Sequence, residues 1–360
     1  MSDSDPPVPP SAVTPEKPRR RPRYSGRNPR HFAEKYKEHQ PEKYPQAIQK
    51  ILASGKTPAG THRPICVAEI LEVLAPKPGE LAVDATLGYG GHASELLRRL
   101  QPGGRLIGLD TDPMELPKTE ARLRSAGFGP EVFTACHSNF AGLPRVLAAQ
   151  DLPGVDVILA DLGCSSMQFD DPARGFSYKL PGPLDLRMNP NKGQSAAALL
   201  AGISEAKLAE LFQANADEPR AGLLAAAIMR ARAETPLTTT SALTKALRAA
   251  LATLPRAVQD AEKDTPIRRV YQALRIQVND EFSALEMFLR CLPGCLNPGG
   301  RVAVLTFHSG EDRRVKQAFR AAQAQGLYAR IAGEVIRPGA EEVRANPRSS
   351  SAKLRWAVRA

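Results

Sequence analysis

Val83-Asp84-Ala85-Thr86-Leu87-Gly88-Tyr89-Gly90-Gly91-His92 is the stretch on which the fold turns. The apolar run Leu81-Ala82-Val83 reads as a short buried strand ending on a carboxylate, Asp84. Three glycines follow, and Ala93-Ser94-Glu95-Leu96-Leu97 then begins a helical pattern. A strand, a glycine turn and a helix N-terminus together aim backbone N–H groups and the helix dipole at a bound ligand. The glycines permit both the tight turn and the ligand's close approach.

Spacing alone does not name the ligand. Gly88-Tyr89-Gly90-Gly91-His92-Ala93 fits the G-x-G-x-x-A pattern of dinucleotide sites. Asp84 weighs against a pyrophosphate, which gains nothing from a negative charge, and favours a cation or an amine. S-adenosylmethionine carries a sulfonium and an ammonium. Arg105-Leu106-Ile107-Gly108-Leu109-Asp110 reads as a second strand ending on an acid. An acid there takes two ribose hydroxyls, which both ligand classes possess.

At 360 residues the chain is long enough for a large core and two domains. Its net charge of +11 favours a polyanionic partner. Cysteines 66, 136, 164, 291 and 295 form no C-x-x-C pair, so reduced thiols in a cytoplasmic protein are the expectation. No apolar run is long enough to span a membrane, and the start lacks the basic and apolar regions of a signal peptide.

Residues 1–57 form a proline-rich arm around Arg19-Arg20-Arg21-Pro22-Arg23. The first 60 residues hold twelve Lys/Arg against six Asp/Glu, too little apolar surface to order the segment alone. Such an arm either adds RNA affinity or is a solvated tail. A helix is expected within 33–53. Beyond it, Val67 to Leu74 has helical period, Glu131 to Ala135 reads as a third strand, and Val155 to Asp161 as a fourth. Right-handed crossovers bring Asp84, Asp110, the turn at 137–140 and Asp161 to one sheet edge. The alternation then stops at a long polar loop, 164–191, of a length that is usually functional. Residues 191–265 are alanine- and leucine-rich and read as a helical insertion. A long helix from Tyr271 to Leu292, a strand from Arg301 to Phe307 and a last strand from Lys353 to Val358 complete the pattern. The division is thus arm 1–57, first α/β part 58–190, insertion 191–265 and second α/β part 266–360.

Six stretches, in order, carry a resemblance. They are Asp84-Ala-Thr-Leu-Gly-Tyr-Gly-Gly-His92, Asp161-Leu-Gly-Cys-Ser-Ser-Met-Gln168, Arg174-Gly-Phe-Ser177, Gly182-Pro-Leu-Asp-Leu-Arg-Met188, Phe307-His-Ser-Gly-Glu-Asp-Arg313 and Asn346-Pro-Arg348. The chain resembles the bacterial 16S rRNA cytosine-N4 methyltransferases, the RsmH or MraW family, from about His62 to Arg355. The resemblance implies a Rossmann-like α/β fold with a mostly parallel sheet and an inserted helical subdomain. It implies a cytoplasmic, S-adenosylmethionine-dependent enzyme acting on a cytosine in the decoding region of 16S rRNA, in the small ribosomal subunit. It implies cofactor contacts at Gly90, Gly91, His92, Asp110, Phe140, Asp161 and Gln168, to which the residue reading adds Asp84. No metal and no membrane are expected; a second copy of the chain is a further candidate partner.

Methylating an exocyclic amine poses a definite problem, because the cytosine N4 lone pair is delocalised into the ring. A nearby acceptor favours a more tetrahedral nitrogen. Asp161 with the Leu162 carbonyl is the first candidate, and His308 and Ser309 are the second. Arg174, Arg187, Arg313 and Arg348 lie in the motif loops as candidate phosphate contacts. Each candidate also has a plainer structural role open to it: core for Phe140, a cap for Asp161, packing for His92, a solvated charge for each arginine. Three departures bear on the RNA contacts and the insertion. Cys164 stands where the family pattern has an apolar residue such as valine, and Gly310 where it has leucine. Ala216-Asp217-Glu218-Pro219-Arg220 replaces a Gly-Glu-Glu-Arg pattern. The alternatives are a cytosine-C5 methyltransferase using a Cys164 thiolate, a dinucleotide-dependent oxidoreductase, or a non-catalytic RNA-binding module.

Overall fold

The computed structural model describes residues 64–360; the basic arm and the helix expected within 33–53 lie outside the described residues. The framework is a seven-stranded sheet ordered β3-β2-β1-β4-β5-β7-β6. Its strands are β1 Leu81–Asp84, β2 Arg105–Asp110, β3 Phe133–His137, β4 Val155–Asp161, β5 Leu296–Thr306, β6 Tyr328–Ile331 and β7 Lys353–Arg359. The first five run parallel, and β7 is antiparallel to both neighbours. This is the expected Rossmann-like α/β class.

Side chains alternate across the sheet. Val83, Ile107, Leu109, Ile158, Ala160, Val302 and Val304 enter one core, under the helix Glu281–Cys295. Ala82, Leu106, Val157, Leu159, Ala303 and Leu305 enter the other, under the helices Val67–Leu74 and Gly91–Leu100. Both faces are covered, so the strands read as continuous apolar runs.

Three elements differ from the sequence expectation. The third strand starts at Phe133, because Val132 N–H is spent on a turn to the Gly129 carbonyl. The expected helix Tyr271 to Leu292 is two helices, Thr265–Asn279 and Glu281–Cys295, hinged at Asp280 in left-handed conformation (φ 50°). The fifth strand begins early and carries a register shift against β4, which absorbs Pro298 and Gly299.

A third hydrophobic cluster stands apart from the sheet. It joins Leu200, Leu208, Phe212, Leu224, Ile228, Leu243 and Leu247 to Ile267, Val270, Tyr271 and Leu274 of the helix Thr265–Asn279. That helix therefore belongs to the helical cluster on one side and lines the cleft at the sheet edge on the other.

Candidate active site

The parallel strands deliver their C-terminal ends to one edge, where a cleft of about 910 Å³ opens. Because β7 is antiparallel, its entrance loop reaches the same edge, and Asn346, Pro347, Arg348, Ser350 and Ser351 close one rim.

On one side of the cleft the glycine loop is hung from two strand-end acids. Asp84 is 2% exposed and accepts the Thr86 N–H at 3.2 Å. Burial pushes its carboxyl up to about 6, against the pull of His92 and the Thr86 N–H. Asp110 accepts the Gly88 N–H at 2.7 Å on one oxygen and the Asp112 N–H at 2.8 Å on the other. Burial raises it to about 6 as well, with those two backbone donors opposing. Gly90 caps the helix Gly91–Leu100 with φ 75°, and a Cβ there would lie 2.9 Å from Thr119 Cγ2. Thr119 in turn donates to the Gly88 carbonyl at 2.6 Å, so the loop is clamped from both sides.

His92 is buried in the first turn of that helix, its Nε2 3.5 Å from Asp161 Oδ2. Burial acts to lower its pKa, but Asp161, Asp84 and Glu342 outweigh this and hold it above the usual histidine value. The Asp161 N–H donates to Thr86 Oγ1 at 2.6 Å, which fixes the end of β4 against the loop after β1. Among the described residues Asp161 Oδ1 is buried with no hydrogen-bond partner. Phe140 opens the turn after β3 and packs on Phe288 with ring centroids 5.2 Å apart.

The loop beyond β4 is shaped by its own caps. Ser165 and Gln168 form a reciprocal capping box at 3.0 and 3.2 Å. Gln168 Nε2 then donates to Asp112 Oδ2 at 2.9 Å. Arg174 donates to the same oxygen at 2.8 Å and to the Arg187 and Met188 carbonyls. It is buried, so its structural place is a clasp on the cofactor loop and not a phosphate contact.

The far side of the cleft is lined by Tyr271, Gln272, Arg275 and Asn279, with Glu281, Phe282, Phe307, His308 and Glu311. Arg275 is buried in a bidentate pair with Glu281 at 2.8 Å, and donates to Cys164 Sγ at 3.2 Å. Burial drives the Cys164 thiol up to about 11, although Arg275 opposes it. His308 caps the helix Ser309–Ala324, and Glu311 accepts the Phe307 N–H at 2.7 Å. Glu281, His308 and Glu311 could converge on a cation, but both carboxylates already serve Arg275, Phe307 and His308.

A family model described as the MraW methylase family matches residues 59–360. The chain belongs to that family. It is therefore a methyltransferase. "Ribosomal RNA small subunit methyltransferase H 1" of Lachnoclostridium phytofermentans is 49% identical over 343 residues, covering 95% of this chain and 93% of that relative. "Ribosomal RNA small subunit methyltransferase H 2" of Alkaliphilus metalliredigens is 48% identical over 346 residues, covering 96% and 99%. Among solved structures, an S-adenosylmethionine-dependent O-methyltransferase from Thermotoga maritima is 11% identical with a TM-score of 0.39, covering 88% of this chain and 71% of that one.

In this MraW-family chain Gly91, His92, Asp110, Phe140, Asp161, Gln168, His308 and Arg348 line the cleft, while Asp84 and Gly90 support it from behind. Ser309 stands outside it, donating to Asp217 at 3.1 Å. Arg187, Arg313 and Arg348 are paired with Asp185, Asp217 and Asp170. Sequence reasoning missed Thr86, Asp112, Arg275 and Glu281. Thr86 and Asp112 each stand two residues after a strand-end acid and donate back to it, the Asx-turn pattern by which they could have been found.

Proposed function

We propose that this MraW-family methyltransferase uses S-adenosylmethionine to methylate the N4 amine of a cytosine in the decoding region of 16S rRNA, in the cytoplasm and on the small ribosomal subunit. The observation that carries the reading is Asp161. It ends β4 at the middle of the cleft, with one oxygen toward His92 and the other buried and, among the described residues, lacking a donor. A buried acceptor left unpaired is costly, and an amine or ammonium satisfies it. The cofactor half fits an adenosine ligand: Asp110 for ribose hydroxyls, Phe140 as an apolar wall, and a glycine loop with no room for a side chain at 90.

S-adenosylmethionine, when bound, supplies an electrophilic methyl group. The chain's own residues do the rest. Asp161 Oδ1 accepts an N4 hydrogen and favours a tetrahedral nitrogen. His92 stands 3.5 Å from the opposite oxygen, and the Asp161 N–H on Thr86 Oγ1 fixes the residue at the end of its strand. Walls from the sheet edge and the helix Thr265–Asn279 hold the base in line, which is where much of the acceleration comes from. The methylated amine then loses its extra proton to the carboxylate or to water. His308, tied to Glu311 and lining the far wall, holds the base from the other side.

We read 191–265 as the insertion, packed on the helix Thr265–Asn279, and 58–190 with 266–360 as the catalytic part. Arg313 and Arg348 are exposed enough to exchange their carboxylate partners for RNA phosphates, and Arg187 less so. A second copy of the chain is a further candidate partner. The experiment is nucleoside mass spectrometry of small-subunit rRNA with and without the enzyme. N4-methylcytidine is expected; its absence, or a C5 isomer, ends the reading.

A further inference from the structure

A base that leaves its stack to enter the cleft gives up its neighbours' faces, and the pocket must return one. On the base side several polar groups are already committed. Arg275 serves Glu281 and Cys164, Asn279 Nδ2 serves the Leu186 and Arg275 carbonyls, and Glu311 serves Phe307. Aromatic rings line the same wall. Phe169 and Phe176 pack on each other, and Phe140 packs on Phe288.

Phe282 is held differently. The Arg314 guanidinium lies 3.6 Å from its ring centre. Arg314 is itself fixed by Glu286 at 2.9 Å and the Gly310 carbonyl at 3.2 Å. Phe282 lines the cleft and Arg314 does not, so the ring stands between the cation and the cleft. Its neighbour inside the cleft is His308, 5.8 Å away and tilted by 54°. The ring thus has a backing and a side support, and it is partly exposed at the cleft.

Gly310 makes this position available. A Cβ there would lie 2.7 Å from Phe282 Cζ and 3.2 Å from His308 Nδ1. Any side chain at 310 must push the ring into the cleft or off its backing. The glycine that departs from the family pattern and the phenylalanine that fills its space form one unit.

We propose that Phe282 is the wall on which the target base stacks, and that Gly310 is the residue that keeps the wall in place. The inference rests on the base-methylation reading above. Base–aromatic stacking contributes about 1–3 kcal/mol, a roughly 5- to 150-fold effect. Phe282→Ala should lower kcat/KM for small-subunit rRNA by that factor, with S-adenosylmethionine affinity by calorimetry unchanged. Phe282→Tyr should retain activity and Phe282→Leu should not. Gly310→Ala should impair the wild-type background and be silent in the Phe282→Ala background. Wild-type activity in Phe282→Leu, or additive losses in the double variant, would overturn the proposal. If Phe282→Ala also loses cofactor affinity, the Tyr and Leu pair decides. A wild-type enzyme that makes no N4-methylcytidine strikes the function reading instead.

Discussion

Arg174 and Asp112 form a buried ion pair, 2.8 Å apart and 62 residues distant in sequence. Asp112 also donates its N–H to Asp110, so the clasp acts directly on the acid proposed for the ribose. Removing one partner of a buried pair leaves the other uncompensated, at a cost of about 3–5 kcal/mol. Arg174→Met should therefore lower stability in urea by that amount and weaken cofactor binding. The salt slope of RNA binding should not change, because this arginine neutralises no phosphate. A slope reduced by about one, with stability intact, would return Arg174 to the RNA surface.

This pair marks where the sequence stops being legible. Strands β1, β2 and β4 could be read because each is an apolar run ended by an aspartate, and the fold brings those strand ends to the cleft edge, where Asp110 and Asp161 line it and Asp84 stands behind. Strand β6 could not: Tyr328–Ile331 has two exposed residues at its centre and no apolar run. The break at Asp280 has no proline or glycine to announce it, only an Asn-Asp pair that tolerates a left-handed turn. Arg174 read as a phosphate contact because its partner is fixed by tertiary packing, which local pattern does not encode.

Stability should fall as pH rises through the neutral-acid range. Asp84 and Asp110 have folded pKa values near 6, above their ordinary 3.8, and His92 is held above 6.5. In all three the folded chain binds protons more tightly than the unfolded one. Their contribution is complete below the unfolded values and is lost as pH passes the folded ones. For the two aspartates the window runs from about 4 to about 6; for His92 it lies above 6.5. Glu311 and Asp312 are held low instead, Glu311 despite burial by His308 and Arg275, Asp312 despite burial by Arg355 and Lys353. Their contribution is lost only as pH falls below the ordinary carboxylate range. Denaturant titrations of the cofactor-free enzyme from pH 4.5 to 7.5 should show the decline, and Asp84→Asn should flatten it between pH 4.5 and 6. A rising curve across that window would contradict the burial of these acids.

The arm 1–57 lies outside the described residues, and its test is independent of the cleft. Deleting it should leave cofactor affinity unchanged while weakening RNA binding and reducing its salt dependence, since fewer phosphates are neutralised. Filter binding across a salt series reads both quantities. Equal affinity and slope would make the arm a solvated tail.

Asp161→Ala should abolish methyl transfer, whereas Cys164→Val should be tolerated. The two residues are three apart, both line the cleft, and two mechanisms make opposite claims about them. Transfer to N4 is a direct displacement that needs an aligned amine and an acceptor. Transfer to C5 needs a thiolate that first attacks the ring, and it cannot proceed without one. A thiol pushed to about 11 is almost wholly protonated at neutral pH, and it accepts a hydrogen bond from an arginine already paired with Glu281. Valine at 164 removes that one weak bond and leaves the Arg275–Glu281 pair complete. Activity on small-subunit rRNA, with the two methylcytidines resolved by mass spectrometry, separates the mechanisms. An inactive but folded Cys164→Val enzyme, or full activity in Asp161→Ala, would overturn the assignment of Asp161 as the acceptor.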